Sequence, residues 1–276
     1  MTPQEKNVSN SESKGTALIT GASRGIGALY ADRLAKRGYD LILVARSEAP
    51  IKELAARLSA ATGRYVSPIR ADLNDKADLA KVETKLKDDP SITMLVNNAG
   101  IGSVAPLLDA DIEKMQDMIA LNITALTRLT YAAAPAFVKR GAGTIINIGS
   151  VVGISPETLN GVYGATKAYV LALSHSLQHE LADKGIRIQT VLPAATATDA
   201  WEIAGLHYSN LPKEIVMPVE DMVDAALAGL DRGELVTIPP LQDGEEWTHF
   251  EAARRALSQE FGHSVPAPRY RIAVAA

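Results

Sequence analysis

The chain has 276 residues, of which 47% are hydrophobic and 22% charged, the balance of an ordinary globular protein with enough apolar material for a core. Its formal net charge of −4 argues against a nucleic-acid-binding protein, since such proteins carry a basic surface. It contains no cysteine, which excludes disulfides, zinc–thiolate sites and a cysteine nucleophile.

The apolar runs and the first residues indicate the compartment. No apolar run approaches the roughly 18 residues of a membrane span. The opening stretch, MTPQEKNVSNSESK, lacks the apolar core of a secretory signal. We therefore expect a cytoplasmic protein without membrane contact, and a disordered tail over the polar residues 1–14.

Short apolar runs alternate with segments of helical periodicity along most of the chain. The predicted strands are residues 16–20, 40–45, 65–71, 94–100, 144–150, 187–192 and 235–239. The predicted helices are the segment from the first strand to residue 37, then 49–61, 76–88, 111–139, 161–181 and 219–231. Pro135 is expected to kink or break the helix in which it lies. Strict strand–helix alternation, with strands apolar on both faces, predicts one parallel sheet covered by helices on each side.

The domain organisation follows from the same pattern. We find no repeat and no internal linker, and so predict one domain over residues 15–240. Residues 241–276 lie past the last strand and contain one helical segment, 246–259. We expect this extension to pack on the same domain or on a neighbouring subunit.

A glycine-rich turn joins the first strand to the first helix. Gly21, Gly25 and Gly27 permit a tight turn and a close approach of backbone N–H groups to a phosphate. The positive end of the helix dipole adds to this attraction. The spacing Gly-x-x-x-Gly-x-Gly differs from the commoner Gly-x-Gly-x-x-Gly pattern of dinucleotide-binding folds, so the turn predicts a phosphate site only in combination with other motifs.

A tyrosine and a lysine lie four residues apart on the predicted helix 161–181, so Tyr163 and Lys167 share one face. A neighbouring ammonium favours the phenolate and lowers the pKa of a phenol, which then exchanges a proton with a carbonyl or an alcohol. Ser150, at the end of the preceding predicted strand, could hydrogen-bond the same substrate oxygen. A lone Tyr-x-x-x-Lys also fits an ordinary surface helix, so the pair gains meaning only from the other motifs.

Four segments together resemble the motif set of the classical short-chain dehydrogenase/reductase family over residues 14–240. They are Thr20-Gly-Ala-Ser-Arg-Gly-Ile-Gly27, Asn97-Asn-Ala-Gly100, Ser150 and Tyr163-x-x-x-Lys167. The resemblance implies a single-domain α/β fold, a Rossmann-type doubly wound seven-stranded parallel sheet with helices on both faces. It further implies an oxidoreductase that transfers a hydride between a nicotinamide cofactor and a ketone or secondary alcohol.

The resemblance also implies roles for single residues. Tyr163 is the expected general acid/base, and Lys167 is expected to lower its pKa and to hold the nicotinamide ribose. Ser150 would polarise the substrate carbonyl, and Asn122 would support a water-mediated proton relay to the lysine. The expected cofactor-binding residues are Gly21, Ser23, Arg24, Gly25, Ile26, Gly27, Arg46, Ser47, Asp72, Leu73, Asn98, Ala99, Gly100, Tyr163, Lys167, Pro193, Thr196 and Thr198.

Two positions depart from the family pattern. Gly149 stands where a serine often precedes Ser150, and Ala194 follows Pro193 where a glycine is usual. Alanine restricts the turn more than glycine does, so the path of that loop is open. Thr198 and Thr196 compete for the role of the threonine that bonds the cofactor.

The residues after the second strand indicate which nicotinamide cofactor is used. An acidic residue there would hold the ribose 2′-hydroxyl of NAD and repel a 2′-phosphate. The chain instead has Arg46 and Ser47, and Arg24 precedes the second glycine of the turn. Because arginine grips phosphate through two hydrogen bonds, we predict NADP(H) rather than NAD(H).

The substrate region follows the sixth strand. Trp201, Ile203, Leu206, His207 and Tyr208 fall where the family carries its mobile lid, and favour an apolar or ring-containing substrate. The candidate pocket walls between the catalytic serine and tyrosine are Val152, Ile154 and Leu159. The predicted partner is thus a small carbonyl or alcohol.

Two further predictions concern metal binding and oligomeric state. His175 and His179 have the spacing of a metal pair, but nothing nearby completes a site, and we predict no metal. We expect a homo-oligomer, tetramer or dimer, whose subunits meet through helices 111–139 and 162–184. The small and apolar residues of the second helix suit close packing against a helix of another subunit, or alternatively against the sheet of their own subunit: Ala165, Ala168, Leu171 and Ala172.

Two alternative functions stay open. One is a 3-oxoacyl thioester reductase, which would need a basic entrance for an acidic carrier; residues 194–217 offer Lys213 alone. The other is a non-catalytic dinucleotide-sensing protein on the same fold.

Overall fold

The computed structural model describes residues 13–159 and 161–270. The predicted tail therefore lies outside the described residues except for Ser13 and Lys14. The chain divides between Pro240 and Leu241 into two compact units. Within the described ranges, no helix has the length and apolar character needed to cross a membrane.

The first unit contains one sheet whose paired strands are all parallel. Its strands are β1 Thr16–Thr20, β2 Asp40–Ala45, β3 Val66–Arg70, β4 Ile92–Asn97, β5 Gly143–Ile148, β6 Ile186–Val191 and β7 Val236–Thr237. Their spatial order is β3-β2-β1-β4-β5-β6-β7. The predicted seven-stranded doubly wound sheet is confirmed, although β7 is shorter than expected.

Helices connect the strands and cover the sheet. They are α1 Gly25–Lys36, α2 Glu48–Thr62, α3 Lys76–Asp88, α4 Ile112–Ile119, α5 Leu126–Arg140, α6 Gly161–Leu181, α7 Ala200–Ala204 and α8 Val219–Asp231. Neighbouring residues of a strand face opposite layers: Ile19 packs in one buried cluster and Leu18 in another. Since both clusters exclude water, the central strands are mainly apolar on both faces, which is the pattern visible in the sequence, and the polar side chains of Asn97, Asn147 and Gln189 are buried among them.

Of the kink or break predicted at Pro135, the break is wrong. The helix α5 continues through Pro135, which lies on its exposed side, as does Tyr131 one turn earlier. The backbone carbonyl that loses its N–H partner to a proline is four residues earlier, and at an exposed position water can serve it. The irregularity instead occupies Ala120–Ala125, where the backbone forms a π-helical turn between α4 and α5.

The second unit contains the helix α9, Gly244–Gln259. The carboxylate of Asp243 accepts a hydrogen bond from the backbone N–H of Glu245 and so caps its first turn. Glu251 receives two hydrogen bonds from Arg254, each 2.9 Å long. Whether this extension packs on its own domain or on a neighbouring subunit stays a prediction, and residues 271–276 lie outside the described chain.

The strand order creates a crevice at one edge of the sheet. The chain leaves β1 towards β2 on one side, whereas β4 and the later strands lie on the other side of β1. In doubly wound folds the loops beyond the carboxyl ends of the strands diverge at such a point, and ligands bind there. Apart from Asn122, which lies in the π-helical turn, every predicted motif before the lid follows the carboxyl end of one of the strands β1 to β6 or lies on α6.

Candidate active site

A cavity of about 660 Å³ opens at the carboxyl edge of the sheet. The predicted residues Gly27 and Asn122 do not line it. The remaining predicted site residues do: Gly21, Ser23, Arg24, Gly25, Ile26, Arg46, Ser47, Asp72, Leu73, Asn98, Ala99, Gly100, Ser150, Tyr163, Lys167, Pro193, Thr196 and Thr198. The fold therefore brings together motifs that lie up to 177 positions apart, from Gly21 to Thr198.

The glycine turn needs glycine for two different reasons. Gly21 and Gly25 have φ of +66° and +53°, a region that other residues rarely adopt. Gly27 has an ordinary φ, but a Cβ there would lie 2.4 Å from the carbonyl oxygen of Gly21. The helix α1 begins at Gly25, so the turn presents the N-terminal end of a helix dipole to the cavity.

A side-chain network holds this turn against the end of β4. The amide of Asn98 donates to the carbonyls of Thr20, at 2.9 Å, and Gly21, at 3.1 Å. In return the hydroxyl of Thr20 accepts from the backbone N–H groups of Asn98 and Ala99, each at 3.0 Å. Sequence reasoning missed the role of Thr20, because its partners follow a different strand.

Two arginines face the part of the cavity beside β2. Arg46 is exposed and, within residues 13–159 and 161–270, makes no ion pair or hydrogen bond. Ser47 is the residue before α2, and its side chain makes no capping hydrogen bond. Arg24 lies 4.0 Å from the carboxylate of Asp199, and both side chains are more than half exposed. The carboxylate beside Arg24 had no sequence signal, because it comes from the loop after β6.

The ends of β3 and β4 supply the next walls. Asp72 accepts a hydrogen bond from the backbone N–H of Asn74 at 3.0 Å, while its own N–H donates to Asp78. Leu73 is 6% exposed and belongs to the core as much as to the cavity. These contacts give the loop after β3 a fixed path along the cavity.

The predicted catalytic side chains meet in the interior of the cavity. A side-chain hydrogen bond joins Tyr163 to Ser150, whose hydroxyl also lies 3.3 Å from the carbonyl of Pro193. The ammonium of Lys167 donates to the carbonyl of Ile148 at 2.9 Å and lies 5.7 Å from the centre of the Tyr163 ring. The tyrosine and the lysine project from the same face of α6, as their spacing predicts.

Burial dominates the electrostatics of this group. It raises the pKa of Tyr163, and the hydrogen bond to Ser150 opposes that rise. It also lowers the pKa of Lys167 to about 8, because an ammonium loses hydration in the interior. The sequence predicts a lowered pKa for Tyr163 next to Lys167, and the structure shows the opposite net direction, since the desolvation of the phenol is the largest effect.

Asn122 lies in the π-helical turn, directly behind the cavity wall. Its amide oxygen accepts from the N–H of Ile101 at 3.0 Å, and its amide nitrogen donates to the carbonyl of Ile101 at 2.8 Å and to Thr166 at 3.1 Å. A Cβ on Gly100 would lie 3.1 Å from the same oxygen and 3.7 Å from the Lys167 nitrogen. Asn122 therefore clamps the loop after β4 close to the lysine, and its part in a proton relay stays a prediction.

The loop after β6 separates the two competing threonines. Thr196 is 4% exposed, and its hydroxyl donates to the carbonyl of Ala194 at 3.1 Å. Thr198 is partly exposed, and its hydroxyl has no hydrogen-bond partner among the described residues. The position of Thr198 beside Gly25, with its methyl carbon 3.3 Å from where a Cβ on that glycine would lie, favours it as the threonine that contacts a ligand at the glycine turn.

Much of the remaining cavity wall is apolar. Of the residues predicted there, Val152, Leu159, Trp201, Ile203 and Leu206 line the cavity. Three do not: Ile154, His207 and Tyr208, the last two of which stack on each other at 4.8 Å. The loop after β4 also contributes Ile101, Gly102, Ser103 and Val104. Sequence reasoning missed this loop, although its position directly after Gly100 was a usable signal.

The described residues show no metal-binding cluster at the cavity. In the described chain, no three His, Asp or Glu side chains are grouped so that they could hold a metal ion. His175 and His179 lie on α6 and do not line the cavity.

Comparisons with known proteins agree with this geometry. The sequence profile of the family described as short chain dehydrogenase matches residues 15–206. A short-chain dehydrogenase from Sphingobium yanoikuyae, solved in complex with NADPH, is 50% identical with a TM-score of 0.91, and the match covers 93% of this chain and 100% of that one. A bulky-bulky ketone specific alcohol dehydrogenase from Comamonas testosteroni is 47% identical with a TM-score of 0.86, and the match covers 94% and 99%.

A further relative is longer than this chain. The very-long-chain 3-oxoacyl-CoA reductase of Anas platyrhynchos is 35% identical over 192 residues, and the match covers 68% of this chain and 62% of that protein. The profile match extends over the glycine turn, Ser150, the Tyr163–Lys167 pair and the start of the lid. The chain belongs to the classical short-chain dehydrogenase/reductase family.

Proposed function

We propose that this protein is an NADPH-dependent carbonyl reductase that interconverts an uncharged ketone and the corresponding secondary alcohol. The observation that carries the proposal is the meeting of Ser150, Tyr163 and Lys167 in the cavity that the glycine turn also lines. A serine hydroxyl, a buried phenol and a buried ammonium are the groups needed to bind a carbonyl oxygen and to protonate it.

The described residues fit NADPH. The glycine turn offers backbone N–H groups at the start of α1 for the diphosphate, and the loop after β2 ends in Arg46 and Ser47 instead of an acid. Arg46 has no competing ion pair in the described chain, so its fork of N–H donors is available for a 2′-phosphate. The solved complex of the Sphingobium relative with NADPH supports this choice over NAD. When bound, the cofactor supplies the hydride.

The chain's own residues would handle the proton. Burial raises the pKa of Tyr163, so the phenol keeps its proton at neutral pH and can donate it to a carbonyl oxygen. The hydroxyl of Ser150, hydrogen-bonded to the same phenol, is placed to donate a second hydrogen bond to that oxygen. Lys167, with a pKa of about 8, is mostly protonated at neutral pH and favours the negative charge that forms on the phenol.

A 3-oxoacyl thioester reductase is the second candidate, because the relative from Anas platyrhynchos has that activity in its name. A substrate attached to an acidic carrier would favour basic side chains around the entrance. The lid segment instead carries Asp199, Glu202 and Glu214 against Lys213. We therefore rank the uncharged ketone first. A non-catalytic sensing role is disfavoured, since it would not require the three catalytic side chains to meet.

Oxidation of NADPH, followed by absorbance, tests the proposal against this alternative. We expect turnover with aryl alkyl ketones, at least tenfold slower turnover with NADH, and no turnover with a 3-oxoacyl thioester. Faster reaction with the thioester would reverse the ranking. No oxidation of NADPH with any carbonyl compound, together with measurable NADPH binding, would support the sensing role instead.

The pH dependence of reduction should report the ionisation of Lys167. Below pH 8 the ammonium is charged and can support proton donation by Tyr163; above pH 8 it becomes neutral and this support is lost. We therefore expect kcat/KM for ketone reduction to decline as the pH rises through about 8, measured from pH 6 to 10 at saturating NADPH. A profile that is flat through this range would contradict the assigned role of the lysine.

We also propose that the protein is a cytoplasmic homo-oligomer. Ala165 and Ala172 lie exposed on α6, whereas Leu171 is 9% exposed and belongs to the core. Small exposed residues let two helices approach closely, so these two alanines are the ones we assign to a helix–helix contact between subunits. The mass in solution, dimer or tetramer against monomer, tests whether the protein is a homo-oligomer.

A further inference from the structure

Gly102 lines the cavity, although neither its backbone conformation nor the packing around it requires glycine at this position. Its φ lies outside the left-handed region that Gly21 and Gly25 adopt. A Cβ at this position would meet, as its nearest described atoms, three carbons of the Tyr163 ring at 3.4 to 3.6 Å, which is ordinary van der Waals contact. By contrast, a Cβ on Gly27 would collide with backbone. The absence of a side chain at Gly102 therefore leaves accessible space beside the catalytic tyrosine.

The loop that carries Gly102 is tied to the lid. The N–H of Val104 donates to the carbonyl of Ala204 at 3.1 Å. A methyl carbon of Val104 lies 3.7 Å from where a Cβ on Gly205 would be. Loop and lid thus form one wall of the cavity, and Gly102 marks the place where that wall approaches the ring of Tyr163.

The loop after β4 and the lid supply mainly aliphatic side chains to the cavity, and the acidic Asp199 at the start of the lid also lines it. Ile101, Val104, Ile203 and Leu206 supply aliphatic surface on one side, and Leu159 belongs to the segment before α6. A ketone whose oxygen reaches the Tyr163 hydroxyl has two substituents that diverge from that point. A substituent that passes along the tyrosine ring on the side of Gly102 would meet no side chain from that position.

We propose that Gly102 is a specificity-determining residue, which leaves room beside the Tyr163 ring for a second substituent larger than methyl. The substrate class of the cavity is then an uncharged ketone that carries bulky apolar groups on both sides of the carbonyl. This inference rests on the proposed function and adds to it the residue that selects the substrate. The name of the Comamonas relative, specific for bulky-bulky ketones, is consistent with it.

The variants Gly102→Ala and Gly102→Val test the proposal with two ketones, acetophenone and 1-phenylpentan-1-one. A branched side chain at Gly102 would fill the space beside the ring, and a misfit of one methylene in an apolar pocket changes kcat/KM by about 10- to 200-fold. We expect Gly102→Val to lower kcat/KM for 1-phenylpentan-1-one by at least about tenfold, with a smaller loss for Gly102→Ala. For acetophenone, kcat/KM should change by less than about threefold, since its methyl substituent is too small to need the space beside the ring.

Two controls separate pocket filling from other effects. Gly161→Ala makes the same chemical change at an exposed glycine with no described atom within 4 Å of its Cβ, and should leave both ketones unaffected. The dissociation constant for NADPH and the melting temperature should stay unchanged in Gly102→Ala, because alanine fits a glycine site of ordinary φ without strain. Gly102→Ala therefore tests the proposal even where valine perturbs the fold.

The outcomes distinguish this inference from the function on which it rests. A larger loss for 1-phenylpentan-1-one than for acetophenone, at constant NADPH affinity, supports it. Equal losses for both ketones, no loss for either, or weaker NADPH binding in Gly102→Ala would overturn the inference and leave the proposed function in place. Wild-type protein that reduces no ketone at all would overturn both.

Discussion

Replacement of Tyr163 by phenylalanine is expected to lower kcat for ketone reduction by about 10²- to 10⁴-fold, the usual contribution of a positioned general acid. The variant keeps the ring that packs in the cavity and loses only the hydroxyl that is hydrogen-bonded to Ser150. Because the variant keeps the ring, whose centre lies 5.7 Å from the Lys167 nitrogen, the surroundings of the lysine stay the same and NADPH binding should persist. Single-turnover oxidation of NADPH and a fluorescence titration of NADPH measure the two effects separately.

The matched control is Tyr169→Phe. This tyrosine lies on the same helix, and its hydroxyl hydrogen-bonds Thr127 at 2.9 Å without lining the cavity. Loss of that single hydrogen bond costs about 1 kcal/mol of stability and should leave kcat unchanged. Full activity in Tyr163→Phe, or an equal loss of activity in Tyr163→Phe and Tyr169→Phe, would contradict the role of Tyr163 as the proton donor.

Replacement of Arg46 by alanine is expected to weaken NADPH binding by about 10- to 150-fold, since hydrogen bonds to a charged group contribute about 1.5–3 kcal/mol. Binding of NADH should change by less than about threefold, because NADH lacks the 2′-phosphate that the guanidinium would hold. The side chain is exposed, so its removal leaves no buried charge behind. Dissociation constants for both cofactors, measured at one ionic strength, decide the matter.

Arg57→Ala is the control for overall charge. Arg57 is an exposed arginine of α2 that does not line the cavity, so its removal subtracts the same charge at a distance from the site. A parallel loss of NADPH affinity in both variants would show a general effect of charge. Equal weakening of NADPH and NADH by Arg46→Ala would place the guanidinium at a part common to both cofactors.

The arrangement of the site was predictable wherever a motif follows a strand. Parallel strands place their carboxyl ends at one edge of a sheet, so the turn at Gly21, the arginine after β2 and the serine after β5 had to lie near one another. The Tyr163–Lys167 pair was equally predictable from helical spacing. These features depend on local pattern and topology, both of which are visible in the order of residues.

Features that depend on three-dimensional packing were not predictable. The net pKa direction of Tyr163 follows from how deeply the phenol is buried, which no spacing reveals. The contact of Asp199 with Arg24 joins two loops 175 positions apart. The helix continues through Pro135 because that position faces outwards, and the significance of Gly102 appears only when a Cβ is placed beside the tyrosine ring.

The hydrogen bonds of Thr20 connect the glycine turn to the part of the cavity that lies after β4. One hydroxyl and one carboxamide join the phosphate turn after β1 to the segment after β4, and that segment continues through Gly100 to the clamp made by Asn122. A displacement of the turn would therefore act on the segment that Asn122 holds, and Gly100 in that segment lies close to the Lys167 nitrogen. We therefore expect binding at the glycine turn to be coupled to the geometry around Lys167.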